Sequence, residues 1–370
     1  MPMPTNSLTS SLHELSISAA ADAIRSGWIS STDYPTALLK GANDLADLRA
    51  FITHDETTIL DAAKQADLKQ RAGERLGPLH GVPIAIKDSM NTRDMPTSLG
   101  TKVLHGYQPP EDAAVVKLLR NAGAVLFGKN NLVEMSYGLT GLNAHHGQVK
   151  NPYDLTRVTG GSSSGAGASV AARIVPAALG GDTIGSIRVP SSLCGVVGFR
   201  PSTGRWSGSG IAPISHTLDT PGPMARSVED CALLDAIATG REPSIKPATK
   251  DLKGVRLGFA PKQHLDLVDP EVEACFFNAI NRLRDAGAEI VEIDLGEDFA
   301  TLAYQANWPI FFAETMPHVT EYLREQKIPT SFNEIYEGLG QNVKVFWSDG
   351  VVAEGPNYVS KEMHLTALNI

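Results

Sequence analysis

The chain has 370 residues, 42% hydrophobic and 20% charged, the composition of an ordinary globular protein able to bury a large core in one or two domains. Acidic residues outnumber basic ones for a net charge of −9, and no Lys/Arg cluster is present, which argues against a nucleic-acid partner. Cys194, Cys231 and Cys275 are odd in number and widely spaced, so they suggest reduced thiols in a cytoplasmic protein rather than a disulfide framework or a zinc site.

Taken in chain order, MPMPTNSLTSSLHELSIS has no basic stretch followed by an apolar one, and later apolar segments are broken by Arg173, Pro176 and glycine pairs. An untargeted protein without membrane contact is therefore expected. Apolar positions at Leu12, Leu15, Ala19 and Ala23 carry helical spacing, and residues 1–70 are predicted to form an N-terminal helical layer. Residues 71–370 are assigned to an α/β core. Its first strand is GVPIAIK, a short apolar run bounded by Gly81 and Pro83 that ends on Lys87 and would place that amine indoors.

Two later segments, from Asp112 and from Asp269, read as a periodic helix stopped by a glycine (Gly123, Gly287) and followed by an apolar strand. In the second, Asp269 is the predicted N-cap and Pro270 the first helical residue. Ser227 and Asp230 open another helix with an acidic variant of the capping box. Recurring αβ units imply an α/β fold with a sheet covered by helices on both faces. From about Asn333 to Ile370 the sequence carries no strong pattern.

The block GGSSSGAGASVAARIVPAALGGDTIGSIR, from Gly160 to Arg188, is richer in chemistry. A flexible Gly/Ser linker is one reading, but the block runs directly into small apolar residues that should be packed. A phosphate-binding turn lacks the required lysine spacing. Gly161 to Gly165 matches GxSxG, which would make Ser163 an elbow nucleophile, yet NPYDLTRVT before it reads as a loop and not the required strand. No histidine lies beside these serines, so an activating base must come from elsewhere, and Lys87 is the best candidate. Adjacent His145 and His146 are poor joint ligands, and neither a metal nor a cofactor is expected.

GVPIAIKD, GGSSSGAG and GGDTIGSIRVPSSLCGVVGFRPS, with GKNNLVEMSYGLTG and SHTLDTPGPMARSVED, together resemble the amidase signature family of serine hydrolases, densely over residues 75–235. The resemblance implies Lys87 as base, Ser162 as bridging serine after a cis peptide, and Ser186 as nucleophile, the serines lying 24 positions apart. It also implies an oxyanion hole from the amides of Thr183, Ile184, Gly185 and Ser186, with Asp182, Arg188 and Ser163 in support. Met135, Ser136, Tyr137 and Gly138 occupy the place of the acyl pocket. The family usually has glycine where this chain has Ile184; a β-branched residue resists positive φ, so the turn should stay ordinary there or differ locally, with the pocket narrowed. The resemblance further implies a central mixed, twisted β-sheet covered by helices on both faces; relatives continue beyond the position of Ile370, so an incomplete C-terminal part of that sheet is expected.

The motif wording is closest to stand-alone amidases for small aryl or arylalkyl amides, such as mandelamide and indoleacetamide hydrolases. The implied activity is hydrolysis of an amide C–N bond through an acyl-enzyme. The sequence leaves two alternatives open: a carbamate (urethane) hydrolase on the same triad, and the glutaminase-type subunit of a tRNA-dependent amidotransferase. The implied partner is a small-molecule amide or carbamate, and a homodimer is compatible with the sequence.

Overall fold

The computed structural model describes residues 12–241, 251–353 and 355–370; most of the N-terminal stretch read above for targeting lies outside them. The chain divides into two compact units, Met1–Ser244 with Phe311–Ser360, and Ile245–Ile310 with Lys361–Ile370. Among the described residues no helix is long and apolar enough to cross a membrane.

The first unit is built on a mixed six-stranded sheet flanked by helices. Its strands, and those of two smaller sheets, are β1 (Phe51–Thr53), β2 (Pro83–Lys87), β3 (Val125–Asn130), β4 (Lys150–Asn151), β5 (Asp154–Val158), β6 (Ala177–Asp182), β7 (Val197–Gly198), β8 (Thr220–Ala225), β9 (Arg256–Phe259) and β10 (Glu289–Glu292). The main sheet runs in the order β1-β3-β2-β6-β8-β7. Strand β2 lies parallel to both β3 and β6, while β1, β8 and β7 pair antiparallel. All five residues of β2 are buried, as expected for a strand covered on both faces, whose sequence is a continuous apolar run rather than an alternation. Because β2 and β6 are parallel and in register from Ile84–Ala177 to Ile86–Leu179, their carboxyl ends open at the same edge of the sheet. That edge is where an open α/β sheet places ligands.

Residues 12–70 contribute helices Ile17–Arg25, Asp33–Asp44 and Glu56–Arg71. Ser16 and Asp55 cap the first and third of these by accepting from the Ala19 and Thr58 amides. The predicted helical layer also contains β1, which adds an edge to the main sheet. The helix Ser164–Ala171 is composed of small residues, all buried. At Gly165 a Cβ would meet the Ala50 carbonyl oxygen at 2.2 Å, so only glycine permits this approach of helix to chain.

The segment before Gly160 is not a loop. It forms the β4–β5 hairpin, and every residue of β5 is exposed. The stretch from Asn333, patternless in the sequence reading, is helical over Phe332–Gly338 and Gln341–Phe346. In the second unit Asp269 caps helix Pro270–Asp285 as predicted, by accepting from the Glu271 amide, and β9 and β10 form their own two-stranded parallel sheet.

Candidate active site

Lys87 ends β2 with 1% of its surface exposed. Its Nζ donates to Ser162 Oγ at 2.8 Å and lies 3.4 Å from the Gly181 carbonyl at the end of β6. Burial pushes the Lys87 amine down from its ordinary value to about 7, against the pull of the Asp219 and Asp182 carboxylates. Asp88 does not hold Lys87. It pairs with Lys129, whose Nζ is 3.4 Å from Asp88 Oδ1 and donates to the Met90 carbonyl and the Thr97 hydroxyl.

Ser162 is buried and follows a cis Gly161–Ser162 peptide. The Ser163 amide donates to the Ser186 carbonyl at 3.1 Å, which ties the two serine segments together. Ser186 is 5% exposed. The side chain of Ser163 is absorbed structurally: its Oγ donates to the Gly181 carbonyl at 3.2 Å and accepts from the Gly181 amide at 3.3 Å. A strand does precede this serine, contrary to the sequence reading, but its hydroxyl is buried and committed, so the elbow role fails on geometry.

Between β6 and helix Arg188–Leu193 the chain turns through Thr183 to Ser186. No described residue accepts a hydrogen bond from these four amides, whereas the next two, Ile187 and Arg188, donate to Asp182 Oδ2. Ile184 keeps an ordinary backbone and the positive φ falls on Gly185, at 150°, so the departure at Ile184 costs the turn nothing. Ile184 is half-buried and does not line the cavity described below.

Asp182 and Arg188 form a bidentate pair at 3.0 Å for each contact, with Arg200 Nε 3.2 Å from the second oxygen. Burial would raise the Asp182 carboxyl, but the Arg188 guanidinium and the two amides hold it below the usual range. Arg200 was not singled out in the sequence, where it is a single cation beside Pro201.

A cavity of about 520 Å³ opens over this edge, a size suited to a small molecule. Lys87, Ser136, Gly181, Thr183 and Asp219 are among its lining residues; Ser162 and Ser186 are not. Trp206, Ile211, Pro213 and Ile214 supply an apolar wall, and His216, His318, Glu321 and Glu325 a polar one. Of the four residues predicted for the acyl pocket, only Ser136 reaches the lining. Met135 and Tyr137 turn into the core, Tyr137 packing on Phe311 and Trp347 with its hydroxyl on Thr315. Gly138 sits at φ 147° against Val133. Burial pushes the Tyr137 phenol well above its ordinary range.

His145 Nε2 contacts Glu134 at 2.9 Å, and no cluster of His, Cys, Asp or Glu among the described residues could hold a metal. Cys194 and Cys231 are buried free thiols and Cys275 an exposed one. Asp219 was missed as an individual residue, although it sits inside the SHTLDTPGP segment.

The amidase family model matches residues 37–361 of the chain. The chain is 37% identical to mandelamide hydrolase of Pseudomonas putida over 96% of its own length and 72% of that protein. It is 41% identical to one subunit of the glutamyl-tRNA(Gln) amidotransferase of Desulforapulum autotrophicum, over 79% of its length but only 64% of the relative's. Among solved structures it superposes on the peptide amidase of Stenotrophomonas maltophilia with a TM-score of 0.82 and 30% identity, covering 96% of this chain and 78% of the other.

Proposed function

The chain belongs to the amidase family, and from that membership we propose that it hydrolyses the C–N bond of a small aryl or arylalkyl amide. Ser186 attacks the carbonyl, Ser162 takes its proton and passes one to Lys87, and the relay then protonates the leaving amine. Water releases the resulting acyl-enzyme. The observation that carries this reading is the buried Lys87 amine, held near neutrality at about 7 and touching Ser162 Oγ at 2.8 Å. A lysine so desolvated exchanges a proton at working pH, where an exposed one remains charged.

The uncommitted amides of Thr183 to Ser186 support an oxyanion hole, since donors fixed in advance stabilise the charge that appears in the transition state. Asp182 and Arg188 would hold that turn in place. The apolar wall of Trp206, Ile211, Pro213 and Ile214 supports an aryl group. The acidic balance of the chain supports a small-molecule substrate rather than a nucleic acid or an anionic membrane, and the free thiols support a reducing, cytoplasmic location.

Amine release from an aryl amide and from its matched carbamate, by the wild type and by Ser186→Ala, tests the reading. The wild type is expected to turn over the amide, and Ser186→Ala to lose activity by at least ~10³-fold. Full activity in Ser186→Ala would remove the nucleophile assignment. Faster carbamate turnover would make the protein a urethanase, and glutamine as the sole substrate would place it with the amidotransferase subunits.

A further inference from the structure

Asp219 lies in the segment just before β8, lines the cavity and makes three hydrogen bonds of different origin. One carboxylate oxygen accepts from the Thr183 hydroxyl at 2.6 Å. The other accepts from the amides of Ile214 at 2.7 Å and Ser215 at 3.0 Å. Thr183 opens the turn of uncommitted amides, and Ile214 belongs to the apolar wall of the cavity. We propose that Asp219 is a positioning residue of the amide-cleaving site: its carboxylate locks the Thr183 turn to the Ile214 wall and supplies the negative charge that Lys87 faces. The proposal rests on the roles given above to Lys87 and Ser186.

Charge bookkeeping around Lys87 singles this residue out. The carboxylates that act on the amine are Asp219 and Asp182. Asp182 is paired with Arg188 and Arg200, whereas Asp219 makes no ion pair among the described residues. Of the other ionisable groups nearby, Glu321 and Glu325 stand exposed on the polar wall of the cavity, and the rest are otherwise engaged. Glu314 accepts from Ser215 and Thr217, His216 and His318 pack ring to ring at 3.9 Å, and the Tyr137 phenol stays protonated through burial. Burial raises the Asp219 carboxyl above its ordinary range, and its three donors, with the Lys87 amine, oppose that rise without cancelling it.

Two substitutions separate the two duties. Asp219→Asn keeps an oxygen for the amides and an amide group for Thr183 but removes the charge. Thr183→Val keeps the charge and removes only the bond. The first readout needs no catalysis: proteins carrying lysine labelled with ¹³C at Cε are titrated by NMR, and the Lys87 signal is identified by its absence in Lys87→Met. Asp219→Asn is expected to move the Lys87 midpoint down by roughly half a pH unit or more, because loss of a nearby negative charge favours the neutral amine. Thr183→Val is expected to leave that midpoint in place while lowering kcat on an aryl amide about tenfold with KM little changed.

An unmoved Lys87 midpoint in Asp219→Asn overturns the electrostatic role, and undiminished kcat in Thr183→Val overturns the positioning role. Ser186→Ala run alongside keeps a failure of the serine mechanism distinct, since the NMR titration reads Lys87 whether or not the protein turns over.

Discussion

Two lysines on neighbouring strands are equally buried, and burial lowers both amines, to about 7 at Lys87 and about 8 at Lys129, so it is their partners that assign their work. Lys129 meets the Asp88 carboxylate, the Met90 carbonyl and the Thr97 hydroxyl, which tie it to structural partners and offset part of its burial. Lys87 has only the Ser162 hydroxyl and the more distant Gly181 carbonyl within reach, and burial drives its amine to about 7. The unfolded chain, with a lysine near its ordinary value, binds a proton between about pH 7 and 10 that the folded chain does not. Folded-state stability therefore rises with pH across that window, and the cost of Lys87 is largest at and below neutrality. Lys87→Met is expected to abolish amide turnover yet raise stability at pH 6 by ~2 kcal/mol, the gain shrinking towards pH 10. Urea denaturation midpoints of both proteins at several pH values check it. A gain that did not depend on pH would mean that Lys87 is not desolvated as described.

At the level of elements, the site is assembled by parallel pairing. Strands β2 and β6 point the same way, so Lys87 at the end of one meets the Gly181 carbonyl at the end of the other. Helix Phe332–Gly338 shows a reciprocal capping box in which Ser331 accepts from the Glu334 amide and Glu334 accepts from the Ser331 amide. Ser331→Ala is expected to lower stability by ~1 kcal/mol without changing KM, measured by the shift in urea midpoint. A shift near zero would mean that this helix contributes nothing to the unfolding transition. That S-x-x-E pattern stands in the sequence, yet the reading found nothing from Asn333 onward because the helix is only seven residues long. GVPIAIK was legible for the opposite reason: five consecutive buried positions leave a continuous apolar run. β1 was not, being three residues long, nor was β5, whose five exposed residues carry no hydrophobic pattern. The residues gathered round Lys87 were legible through several separated motifs in order. The orientation of Met135 and Tyr137 was not, because it depends on positive φ at Met135 and Ser136, a conformation that side chains of this kind rarely adopt and that the sequence does not announce.

For the molecule as a whole, charge is the property that narrows the substrate. The chain carries a net −9, and the cavity repeats that sign locally, with Asp219, Glu321 and Glu325 among its lining residues and no arginine. Sites built to receive a carboxylate normally offer a guanidinium fork, whose planar donors match both oxygens. Here Arg188 and Arg200 are both occupied by Asp182, and Lys87 is kept near neutrality. An amide bearing its own carboxylate therefore meets repulsion without a compensating partner, whereas a neutral aryl amide meets the wall of Trp206, Ile211 and Pro213. With matched substrates that differ only by a ring carboxylate, kcat/KM is expected to favour the neutral amide by about tenfold or more at low salt. Much of that preference should fall away in 0.5 M salt (~4 Å screening length), because Glu321 and Glu325 act across exposed space that ions screen. Equal turnover of the two amides at low salt would mean that a cation reaches the substrate carboxylate, and with it the glutamine-type reading would gain what it now lacks.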